Sequence, residues 1–91
     1  MALEFQVVDR SVYRTAAGSE TRLVAPDGLQ AQLEAVVCTF GKARAFARPS
    51  GTENIVRVYA EAETDVNAKK LAHRLACLID SNWTVPEELR D

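Results

Sequence analysis

Ninety-one residues, 47% of them hydrophobic and 26% charged, are enough to build one hydrophobic core and too few for two. A net charge of −2 excludes the broad basic surface that non-specific nucleic-acid binding requires, so any anion site must be local. No run approaches the ~20 apolar residues of a membrane span, and the first residues lack the basic and apolar regions of a secretion signal, so the expectation is a cytoplasmic protein with no membrane partner.

In chain order, Leu3, Phe5 and Val7 alternate with Glu4 and Gln6, the period-two pattern of a half-buried strand. Ser11 to Thr15 and Thr21 to Val24 read as weaker strand pieces, separated by a turn over Ala16 to Glu20 that contains Gly18 and Ser19. From Pro26 the period changes. Leu29, Leu33, Val36, Val37 and Phe40 form one helical stripe, with Pro26 suited to the first turn and Gly41–Lys42 to the end, so a helix is expected over Pro26 to Phe40.

Ala43 to Arg48 reads as a short strand and Ile55 to Ala62 as a longer one, the two forming a hairpin. On the longer strand Ile55, Arg57, Tyr59 and Glu61 share one face, and Val56, Val58, Ala60 and Ala62 the other. A second helix is expected from an N-cap at Thr64 to about Asn82, with Ala68, Leu71, Ala72, Leu75, Leu78 and Ile79 on one stripe. Residues 83–91 read as a partly disordered tail. The order β-β-α-β-β-α predicts an α+β, two-layer sandwich: a mostly antiparallel four-stranded sheet with both helices on one face.

The chemistry concentrates in Arg48-Pro49-Ser50-Gly51-Thr52-Glu53-Asn54 and in Arg57 just beyond. A phosphate dianion needs several donors converging on one point, and this stretch offers two guanidinium groups, two hydroxyls and a run of backbone N–H groups. If the loop joins a hairpin, Arg48 and Arg57 flank it at the same end of the sheet. Gly51 is expected to let the backbone turn and approach a ligand, with consecutive N–H groups forming an anion nest. Pro49 stiffens the entry, and Glu53 is expected to orient an arginine or accept loop N–H bonds. Because ordering a small ligand offsets much of this gain, affinity for phosphate alone should be about millimolar or weaker, ~4 kcal/mol.

The segment Arg48 to Ala62, RPSGTENIVRVYAEA, resembles the phosphate-binding loop and following strand in the last domain of the α-D-phosphohexomutases. Within that family the lead-in, Pro26 to Phe40 with Ala43 to Phe46, is most similar to the eukaryotic members that interconvert N-acetylglucosamine 6-phosphate and 1-phosphate on the way to UDP-N-acetylglucosamine. The resemblance weakens before Val24 and stops at about Asn82. It implies that Arg48, Ser50, Gly51, Thr52 and Arg57 bind the phosphate that is not transferred, and that Asn54, often acidic or proline in relatives, tunes the loop. It also implies a phosphosugar substrate, further domains of a parent enzyme, and a phosphoserine and Mg²⁺ supplied by those domains. This domain itself would carry no cofactor, no metal and no catalytic residue, and would be inactive alone. The alternatives are the same domain from a member acting on glucose, mannose or glucosamine phosphates, or a stand-alone module that binds phosphorylated partners.

The remaining residues read more plainly. His73 is expected at a helix boundary, Cys38 and Cys77 as reduced core residues, Tyr59 in sheet packing and Trp83 in packing at the end of the second helix.

Overall fold

The computed structural model describes residues 1–80, the side chains of residues 19 and 20 excepted. It is an α+β two-layer sandwich. A three-stranded antiparallel sheet has the order β1 (Ala2–Gln6), β5 (Ile55–Ala62), β4 (Ala43–Pro49). A separate two-stranded ribbon pairs β2 (Arg14–Ala16) with β3 (Ser19–Ala25). Helices α1 (Leu29–Cys38) and α2 (Asp65–Ile79) form the other layer.

Among the described residues, then, there are five strands in two sheets where one four-stranded sheet was expected. Two local features account for the difference. Asp9 accepts hydrogen bonds from the Ser11 backbone N–H at 2.9 Å and from its hydroxyl at 2.7 Å, and this capping turns Arg10–Val12 into a 3-10 helix where a strand was expected. The β2–β3 pairing then shifts register twice, between Arg14 and Thr15 and between Thr15 and Ala16. Such irregularities steepen the twist and turn a ribbon out of the plane of its neighbours.

The α1 boundaries are also tighter than the periodicity suggests. Gly28 sits in the left-handed region, φ 81°, a conformation no helix interior adopts, so Pro26 to Gly28 form a turn and the helix begins at Leu29. At the other end, Thr39 and Phe40 N–H groups reach back only three residues, to Val36 and Val37, which tightens and closes the last turn. α2 starts as expected, with the Thr64 hydroxyl accepting the Asn67 N–H at 3.1 Å. It ends at Ile79; the expected tail over 83–91 and the packing of Trp83 lie outside the described residues.

The core is where the two layers meet. Leu3, Val56, Val58, Ala60 and Ala47 from the sheet bury against Leu71, Ala72, Leu75 and Ala76 of α2, with Leu29 and Leu33 of α1 and Leu23 of β3 closing the cluster. The alternation in β5 is as expected: Val56, Val58 and Ala60 are buried, and Arg57 and Tyr59 are exposed. The small side chains of Ala47, Ala60, Ala72 and Ala76 let helix and sheet approach closely. Both cysteines are exposed and neither forms a disulfide, contrary to the core assignment, because Cys38 and Cys77 fall off the stripes defined by Leu29–Leu33 and by Leu71–Leu75. His73, in the middle of α2, is half-buried between the core and the helix surface.

Candidate anion-binding site

The antiparallel register places Arg48 directly opposite Arg57, so both side chains stand on the outer face of the sheet, away from the helices. Like charges directly opposite repel across a sheet. On its other side Arg57 faces Glu4 across the β1–β5 pairing, and its Nε donates to Glu4 Oε1 at 2.9 Å. Both side chains are about half exposed, 50% and 58%, so the pair orients the guanidinium more than it stabilises the protein. Glu4, from a strand 53 residues away in sequence, is therefore the carboxylate that orients Arg57. The alternation in β1 assigns Glu4 to the outer face, but only the strand register selects its partner.

The loop that follows Arg48 is closed by the Ser50 N–H donating to Ile55 carbonyl O at 2.8 Å. Within it, Ser50 Oγ accepts the backbone N–H groups of both Thr52 and Glu53 at 3.3 Å each. These are long hydrogen bonds to a neutral acceptor, and they gather two neighbouring donors toward one point beside Arg48 and Arg57. Gly51 does not occupy the left-handed region, and a Cβ added there would meet no atom within 4 Å. The turn itself therefore does not require a glycine, in contrast to the expectation; its small size matters only for what approaches the loop. Ser50 is half-buried and Gly51, Thr52, Glu53 and Asn54 are exposed.

Asn54 ties this loop to the start of the chain. Its carbonyl O accepts the Val7 N–H at 2.9 Å and its Oδ1 accepts the Arg10 N–H at 3.1 Å. The expected tuning role of Asn54 thus has a physical partner, one that lies 44 residues away and that no local pattern identifies.

Two further rows continue along the same face. Phe46 lies opposite Tyr59, with ring centroids 5.4 Å apart and planes at 29°. Tyr59 thus packs on the sheet, as expected. Beyond them Arg44 lies opposite Glu61, its Nε 2.6 Å from Glu61 Oε2, while the Tyr59 hydroxyl donates to Glu61 Oε1. Hydrogen bonds from Arg44 first and Tyr59 second hold the Glu61 carboxyl below the usual glutamate range. The same bond to Glu61 pushes the Tyr59 phenol above its ordinary value. Among the described residues no group of three or more His, Cys, Asp or Glu could hold a metal ion. No helix among them is long and apolar enough to cross a membrane.

The fold and the loop define a class of protein. The family model for the phosphoglucomutase/phosphomannomutase C-terminal domain matches residues 12–78, and the chain belongs to this family. Its curated relatives are phosphoacetylglucosamine mutases. Phosphoacetylglucosamine mutase 1 of Schizosaccharomyces pombe is 46% identical over 74 residues, covering 81% of this chain and 14% of its own length. The human phosphoacetylglucosamine mutase is 44% identical over 77 residues, 85% of this chain and 14% of its own. Among solved structures, Aspergillus fumigatus N-acetylphosphoglucosamine mutase in complex with GlcNAc-6P and magnesium superposes with a TM-score of 0.82 at 38% identity, over 92% of this chain and 16% of that one. The chain spans about 14% of the length of the curated relatives it matches.

Proposed function

We propose that this chain is the phosphate-gripping domain of a cytoplasmic phosphoacetylglucosamine mutase, in which Arg48, Ser50, Gly51, Thr52 and Arg57 hold the phosphate of the sugar that is not being transferred. The observation that carries this is the Arg48–Arg57 pair, two like charges set directly opposite beside a loop of gathered N–H donors. An anion between the guanidinium groups relieves their repulsion. A phosphate oxygen taking the place of Ser50 Oγ exchanges two long hydrogen bonds to a neutral acceptor for charge-assisted ones. Gly51, with nothing near a would-be Cβ, leaves room for that approach. Arg57, held at Nε by Glu4, keeps its two terminal nitrogens for bidentate contact.

A mutase of this kind must hold either phosphate of one sugar while the other end reacts. A domain that reads phosphate and little else meets that need by positioning the substrate. The transferring machinery would belong to other domains of a longer enzyme, so the chain alone should bind and not turn over.

The test is an NMR titration of the chain with inorganic phosphate, N-acetylglucosamine 6-phosphate and N-acetylglucosamine. Both phosphate-bearing ligands should shift amides from Arg48 to Arg57, and the unphosphorylated sugar should not. Equal shifts with the unphosphorylated sugar, or none at the loop at ~20 mM of either phosphate ligand, well above the expected constant, would reject the assignment.

A further inference from the structure

The outer face of the β4–β5 hairpin carries three cross-strand pairs in succession: Arg48–Arg57, then Phe46–Tyr59, then Arg44–Glu61. Each pair is two residues from the next, so the rows are ~7 Å apart along the strands. From the loop outward their chemistry reads cationic, aromatic, then a hydrogen-bonding ion pair.

We infer that Phe46 and Tyr59 form a sugar-contacting wall, against which the ring of a hexose phosphate rests while its phosphate is held at Arg48 and Arg57. This rests on the proposed phosphate site, and it assigns to the domain a contact with the sugar itself. The aromatic row is the next one along from the arginines, the direction and reach in which a ring esterified at a primary hydroxyl can lie. Sugar rings have apolar C–H faces that pack on aromatic side chains, with polar groups needed at the rim. Arg44 and Glu61 supply such a rim, one a donor and the other an acceptor, at 82% and 40% side-chain exposure.

The wall is held in place from below and beside. Phe46 and Tyr59 brace each other at 5.4 Å, and the Tyr59 hydroxyl is hydrogen-bonded to Glu61, which Arg44 fixes in turn. Little rotamer freedom is left for a ligand to remove, which favours weak but real recognition. Tyr59 keeps 36% of its surface exposed, so one side of its ring is open to a ligand. Both rings also line a cleft of about 850 Å³ that they share with Arg44 and Glu61 and with residues of β3 and α1, while Arg48 and Arg57 lie outside it. The pair lies on the face opposite the core, where it contributes to the fold only as a cross-strand contact.

The test compares binding of N-acetylglucosamine 6-phosphate and inorganic phosphate to the chain, with saturation transferred from the aromatic protons to the ligand. The sugar phosphate should bind about fivefold tighter than inorganic phosphate, and its ring protons should receive saturation. A Phe46→Ala/Tyr59→Ala double variant should lose that advantage while its constant for inorganic phosphate stays the same. Equal affinities with no transfer, while the loop amides still shift, would overturn the sugar wall and leave the phosphate site standing. No loop shift with either ligand would overturn both. Should the double variant fail to fold, the saturation transfer in the unaltered chain decides alone.

Discussion

At Gly51 a single hydrogen atom separates stability from function. The position has neither a left-handed backbone nor an atom within 4 Å of an added Cβ, so Gly51→Ala removes unfolded-state freedom without strain and should stabilise the chain by about 0.4–1 kcal/mol. On the proposed phosphate site the same methyl group would stand in the path of the anion, and affinity should fall by about threefold or more. Urea unfolding and phosphate titration of one variant check both signs, and a loss of stability would show that the loop backbone is strained. Glu61 offers a test by pH. Its folded-state pKa is depressed by Arg44 and Tyr59, so the stability it contributes is present above the ordinary glutamate range and lost as pH falls through the depressed value. A carboxyl-carbon titration should therefore give Glu61 a midpoint below ~4.3, with Arg44 and Tyr59 signals moving in step and no change near neutral pH. A midpoint at or above that value would mean the three-group cluster is not formed in solution.

Among the elements, the loop between β4 and β5 is the one whose geometry depends on a distant segment. The β1 strand and the 3-10 helix after it lie against the loop through Val7 and Arg10, both bonded to Asn54. Asn54→Ala removes only the Arg10 bond, which is exposed, so its stability cost should be near ~0.5–1 kcal/mol. Hydrogen exchange at the Arg10 amide should quicken by a matching fewfold, and phosphate affinity should drop as the loop loosens. Unchanged exchange at Arg10 would remove Asn54 from this role. The hairpin itself, both helices and the Thr64 cap follow from local patterns of period and capping residues. The 3-10 helix does not, because a run such as Ser11 to Thr15 has no decisive period, and a single Asp–Ser side-chain contact tips it out of the extended state.

For the whole molecule, one core joins every layer, and Leu71 lies at its centre with no exposed surface. Leu71→Ala should cost about 2–5 kcal/mol, a large part of the ~5–15 kcal/mol that holds a domain of this size. Denaturant unfolding should remain one transition with an unchanged slope and a lowered midpoint; a ribbon that melts separately from the three-stranded sheet would show two cores instead of one. Periodicity and motif spacing were sufficient to read the α+β class, the buried faces of β5 and α2, and the cluster of hydrogen-bond donors between Arg48 and Arg57, because these depend on neighbours within a few positions. The pairing of β1 with β5 depends on contacts between residues dozens of positions apart, and local patterns carry no information about those. Tertiary structure alone therefore brought Glu4 to Arg57 and Asn54 to Arg10, and it added to a hairpin already legible in the local pattern the register that sets Arg48 opposite Arg57 and Phe46 opposite Tyr59.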